Sequence, residues 1–246
     1  MILRRLTKHV KDQNWFAVGL DFVIVVVGVF VAMQVANWNS ARIERELERA
    51  YLLRLHEEVS VTIGEQESER ADVLARAKRL EKVSGYFAAF GTPQAIAPEP
   101  AGDHCAAVIT SHIFDADISL PPTVSELIST GRILLVSNEA LRMQIVRFSQ
   151  AMGEYGQLRH DIQIDRLVLS RKYPEFIRLS PAARKESICD FPAMAQNPAF
   201  VNDFLDNTPR FYAYAAVVIQ GRYDFQQQVK AALEAELGST TGDAPK

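Results

Sequence analysis

Asp103, His104, Cys105, His112, Asp115 and Asp117 form the only cluster of ligand-type side chains in the chain. Imidazole, thiolate and carboxylate can together hold zinc. The spacing matches no standard zinc site, and a helix through it would set His104 and His112 two turns apart. Loop polar residues around a buried Cys105 are the plainer reading. Nucleophilic catalysis needs an activated Ser or Cys with a base beside it, and no Gly-x-Ser-x-Gly or similar motif occurs. No pair of glycines stands in a phosphate-loop arrangement. The carboxylates lie mainly on exposed helix faces. The sequence therefore predicts no catalytic, cofactor-binding or metal residues and no cofactor. An envelope enzyme or metal-binding protein using the His104–Asp117 region is the alternative.

The elements that would position such groups are all helical. The chain has 246 residues, 48% hydrophobic and 23% charged. Its net charge of −3 argues against nucleic acid as a partner. Residues 16–36, FAVGLDFVIVVVGVFVAMQVA, are almost wholly apolar. As a helix they rise about 31 Å, against a hydrocarbon thickness of roughly 30 Å. Trp15 and Trp38 bracket them as interfacial anchors. A cleavable signal peptide would need a shorter core and a small-x-small site, and Gln34 fits that poorly. Arg4, Arg5, Lys8 and Lys11 precede the span; Arg42, Arg45, Arg49 and Arg54 follow it. The count is a tie that length breaks, because a short cationic tail resists translocation while a long domain does not. The N-terminus is expected in the cytoplasm and residues 37–246 outside it. Little more than a tail of about 14 residues would then face the cytoplasm, and signalling would pass through a partner chain.

Inside the span, Gly28, Ala32 and Ala36 share one face, with Asp21 two turns earlier. Small residues at that spacing let two helix backbones approach, and a paired or interfacial acid is tolerated. A homodimer or a partner membrane protein would use this face. Alternatively, small residues are simply common in spans and Asp21 reaches the headgroups alone.

No proline occurs before Pro93, and Glu, Arg, Leu and Ala dominate from Asn37 to Phe90. Ile43, Leu47, Ala50, Tyr51, Leu55, Val59 and Ile63 recur at three- and four-residue steps. The expectation is a helical stem over 39–90 continuing the span, with a break near Gly64. Residues 91–122 read as a loop-rich connection, ending in a capping box of Thr123 and Glu126. Gly131 stops that helix, and Ile133–Val136 reads as an apolar connector, with a short extended piece as one reading of it. Ser137 or Asn138 then caps a long helix that reaches Lys172 through Leu141, Ile145, Phe148, Met152, Tyr155 and Ile162. Ser180–Pro181, Asn197–Pro198 and Thr208–Pro209 each read as a helix start. The last helix ends at Gly238, with Arg222 interrupting its apolar stripe. The expected layout is a basic tail (1–14), a transmembrane helix (15–38), a stem (39–90), a connection (91–122), a helical body (123–238) and a disordered tail (239–246). The fold class is all-α: a transmembrane helix, a stem and an antiparallel helical bundle.

Two blocks carry a resemblance. Asp21, Gly28, Ala32, Gln34, Asn37, Trp38 and Asn39, followed by Tyr51, Leu52, Leu55 and Glu58, form the first. Glu126, Leu127, Gly131, Asn138, Leu141 and Arg142 form the second. Together they resemble the bacterial membrane-protein family called domain of unknown function 6090. Ala36 and Ser40 depart from it, where asparagine and an acid are usual. The resemblance implies a bacterial protein with a single-span anchor and no known activity. It makes the membrane the bacterial inner membrane and the outer side the periplasm.

The function expected from these readings is a membrane-anchored extracytoplasmic interaction or sensory-type module. In an oxidising compartment Cys105 and Cys189 could pair, or remain two separate buried thiols.

Overall fold

The structure is a computed structural model describing residues 15–91, 98–100, 102–183 and 186–239, with side chains from Gly19 to Gly238. The basic tail, most of the 91–103 loop, the Trp15 side chain and residues beyond Ser239 lie outside that description. The fold is all-α, with one two-residue strand pair.

Helix α1 runs from Trp15 to Ala89 without interruption. The expected break at Gly64 does not occur, since no proline or competing cap stands there and the flanking residues are good helix formers. The chain divides into two compact units, the second beginning at Tyr51. In the first, α1 is long and apolar enough to cross a membrane, and Leu20, Phe22, Phe30 and Val35 all stand outward. The apolar stripe changes character at the boundary. Ile43 is 56% exposed and Leu47 38%, whereas Tyr51, Leu52, Leu55 and Val59 are buried. Much of the expected stem is thus part of the helical body's own core.

The second unit continues with α2 (Gly102–Ile109), inside the stretch expected as a connection, and α3 (Pro122–Ser129). The expected capping box is not formed. The N-cap of α3 is Pro121, which offers no side-chain acceptor. The Thr123 N–H donates instead to the Glu58 carboxylate of α1 at 3.0 Å. Glu126, free of that duty, accepts from Tyr51 and Arg54. Gly131 follows α3 with φ of +71°, a left-handed turn that glycine enters without steric penalty. Arg132–Leu135 is then a 3-10 turn rather than an extended connector, leaving Leu134 77% exposed.

Asn138 caps α4 (Glu139–Ile164) by accepting the Leu141 N–H. Helix α4 stops at Ile164, not Lys172; α5 (Leu169–Lys172) is separate. Strands β1 (Ile177–Arg178) and β2 (Ile188–Cys189) pair antiparallel, Ile177 opposite Cys189. Ser180 begins no helix among the described residues; its hydroxyl accepts the Ala182 N–H in a local turn. Helix α6 (Phe191–Gln196) is capped by Asp190, and α7 (Pro198–Ala213) by Asn197. Thr208–Pro209 does not start a helix either: it lies inside α7, with Thr208 buried. A π-helical segment, Tyr214–Gln220, joins α7 to α8 (Gly221–Ser239). Gly221 sits where a Cβ would come 3.2 Å from the Tyr155 hydroxyl, so glycine lets α8 close onto α4.

The apolar core falls into two clusters. One joins Leu52–Ile63 of α1 to Ile145 and Phe148 of α4 and to Val229 and Leu233 of α8. The other joins Val73–Phe87 of α1 to α2, Ile162, the α7 aromatics and Tyr214–Ile219. In this second cluster Phe87 meets Phe204 edge-on at 5.1 Å. On α1 the residues between the clusters are mostly polar, and on α8 Arg222 and Gln226 stand between them.

Candidate functional site

Between the clusters lies a polar layer in which Arg222 and Gln226 of α8 are buried and Glu69 and Arg70 of α1 half-buried. Arg222 is 1% exposed, among the largest fully buried side chains. Its Nη2 donates to the Glu69 carboxylate at 3.0 Å and its Nη1 to the Asp117 carbonyl. A lone charge in such a place would be prohibitive, so the pairing is what permits it. Next to Glu69 on α1, Arg70 donates to Gln220 at 2.9 Å and to Glu67 at 2.8 Å. Its guanidinium also lies 4.2 Å from the centre of the Tyr223 ring.

The layer grips a segment with no helix or strand of its own. Around residues 114–117 the backbone groups are satisfied by side chains of other elements. The Phe114 carbonyl accepts from Gln163 at 2.6 Å, and the Ala116 carbonyl from Arg159. The Ala116 N–H donates to the Tyr214 hydroxyl at 3.0 Å. Burial pushes the Tyr214 phenol up to about 12, so it stays protonated. The preceding turn is held as well: the Asn207 amide donates to the Ser111 hydroxyl at 3.2 Å and to the Leu167 carbonyl at 2.7 Å.

Two clefts open beside this turn and share His112 and Ile113. The first encloses about 330 Å³ and is lined further by Phe114, Asp115, Arg159, Gln163 and Arg166. The second encloses about 290 Å³ and reaches Arg171, Leu179 and Ser187.

The expected ligand-type cluster is dispersed. Cys105 is bonded to Cys189 in a disulfide, with Cα atoms 5.5 Å apart, so its sulfur is not a metal donor. Asp103 pairs with Arg79 at 2.9 Å and lies 3.1 Å from His104. Burial raises its carboxyl, but the Arg79 and His104 contacts outweigh that and hold it below the usual range. Asp115 and Asp117 are exposed. Among the described residues no three His, Cys, Asp or Glu side chains converge to hold a metal ion.

The residues expected at a span interface, Asp21, Gly28, Ala32 and Ala36, are exposed on α1, and so is the expected anchor Trp38. Among the described residues, apart from the helix's own nearby backbone, nothing lies within 4 Å of a Cβ built on Gly28. The polar grip on 114–117 was missing from the sequence reading. Its one visible sign was Arg222 standing inside an apolar stripe.

No protein-family model matches the chain, and no curated protein or solved structure is similar to it.

Proposed function

We propose that the chain is a membrane-anchored recognition module whose helical body lies outside the cytoplasm and binds a ligand or a partner protein. The observation that carries this is the change along α1. Its early residues present an apolar surface of membrane-spanning length, and its residues from Tyr51 onward are core of the body. One helix therefore serves as anchor and as structural member. The Cys105–Cys189 disulfide supports the outward orientation, because such bonds persist in oxidising compartments and are rare in the cytosol. The short cationic tail favours an N-terminus that stays inside. The bacterial inner membrane and the periplasm are part of the same proposal. They rest on the two blocks that resemble domain of unknown function 6090, around Asp21–Asn39 and Glu126–Arg142.

A reporter active only outside the cytoplasm, fused after Lys246, tests the orientation. Activity is the expected result. Activity from a cytoplasm-only reporter at the same point would reverse the topology and remove the extracytoplasmic placement of the body.

A further inference from the structure

The geometry points to the paired clefts at His112 as a binding site for a small organic oxyanion, a carboxylate or phosphate carrying an apolar portion. This rests on the reading of the body as a recognition module, and not on its orientation. Arg159 and Arg166 line the first cleft and Arg171 the second, with Asp115 the one carboxylate lining either. Among the described residues none of these three arginines has an ion pair. Arginines left without carboxylate partners around two adjoining clefts favour an anion from outside, and the guanidinium fork matches carboxylate and phosphate oxygens. The first cleft's volume falls in the range of small-molecule sites.

The walls are held before any ligand arrives. Arg159 is fixed by the Ala116 carbonyl. The turn bearing His112 is closed by the Ile113 N–H donating to the Thr110 carbonyl at 3.1 Å, and Asn207 holds Ser111. The disulfide joins α2, which ends at the cleft residue Ile109, to β2, which begins one residue after Ser187. Both sides of the second cleft are therefore stapled together, and preorganised walls lower the entropic cost of binding. Ile113 in both clefts and Leu179 in the second offer the ligand's apolar part a surface.

The test uses the full chain in phosphatidylcholine nanodiscs. Inorganic phosphate and succinate are titrated by calorimetry at constant ionic strength, with chloride as the reference salt. Saturable binding of either anion is expected, weakened at least about tenfold by Arg166→Gln combined with Arg171→Gln, one bidentate contact being worth that much. Both side chains are exposed, so the unfolding temperature of the ligand-free variant should match the wild type. Repeating the titration with phosphatidylglycerol in the disc separates the sources. Lower apparent phosphate affinity in the wild type alone marks a lipid headgroup; no change marks a free anion. No binding beyond chloride in either disc, or equal binding by wild type and double variant, overturns the site while leaving the reporter result on orientation intact.

Discussion

Glu69 and Arg222 stand 153 residues apart in sequence and meet at 3.0 Å, one on the first helix and one on the last. Their burial is unequal: the Arg222 side chain is 2% exposed and that of Glu69 32%. The arginine therefore depends on the pair far more than the glutamate does, because the carboxylate keeps part of its hydration.

Glu69→Gln should accordingly destabilise the body by about 3 kcal/mol, since it leaves the buried Arg222 guanidinium with no opposite charge beside it. Arg222→Met should cost less, because it removes the buried charge itself and the Glu69 carboxylate left behind keeps part of its hydration. Urea unfolding of the full chain in detergent measures both. Equal losses for the two variants would contradict the asymmetry in burial.

The Cys105–Cys189 bond closes a loop with a sequence separation of 84. Chain entropy values such a closure at roughly 4 kcal/mol. Maleimide labelling of the denatured, unreduced chain should add no label, and two per chain after reduction. Reduction should also lower the urea midpoint. Two reactive thiols before reduction would remove the bond and the support it lends to an extracytoplasmic body.

Acid should loosen the junction between α1 and α3. Glu126 accepts from the Tyr51 hydroxyl at 2.6 Å and from Arg54, which together hold its carboxyl below the ordinary glutamate value of 4.5. Its folded state thus binds the proton less readily than the unfolded chain does. The contribution is complete above pH 4.5 and is lost as pH falls through the lowered folded value. Urea midpoints measured from pH 7 down to pH 3 should fall less steeply in Glu126→Gln than in the wild type. Identical slopes would show that this carboxylate is not linked to folding.

Gly28→Leu with Ala32→Ile should leave the chain's own fold unchanged, because the surroundings of Gly28 are open. In membranes the same change should reduce crosslinking between copies if the small-residue face mediates association. Crosslinking that is unaltered, or absent in the wild type, would end the case for a span interface.

What the sequence disclosed follows from how local each signal is. The proline-free run of helix formers through Ala89 and the caps at Asn138 and Asn197 were legible because propensity and capping act within one turn. Thr123 and Glu126 carried an equally good local signal that failed, since α1 brings Tyr51, Arg54 and Glu58 to the same side chains. Thr208–Pro209 failed similarly: packing of Phe204 and Phe211 carries α7 through the proline. The grip on residues 114–117 was illegible, and the Cys105–Cys189 bond legible only as one of two alternatives, for one shared reason. Their partners lie from 43 to 105 residues away, apart from the closer pairing of turns, and spacing carries no information about proximity at that range.

The run of α1 into the core also sets an order of events in time. A chain is made from its N-terminus, and residues 51–63 are among the first of the body to be synthesised. The apolar partners Val229 and Leu233 that cover them are among the last. Until the final helix has been made, a strip of leucine, valine and isoleucine on the earliest helix has nothing of its own chain to complete its cover. Nascent chains with such a wait are prone to aggregate and depend on chaperones. Loss of the last three turns of α8 would leave that wait permanent, so an early stop at Val229 should be far more damaging than the short stretch it removes suggests.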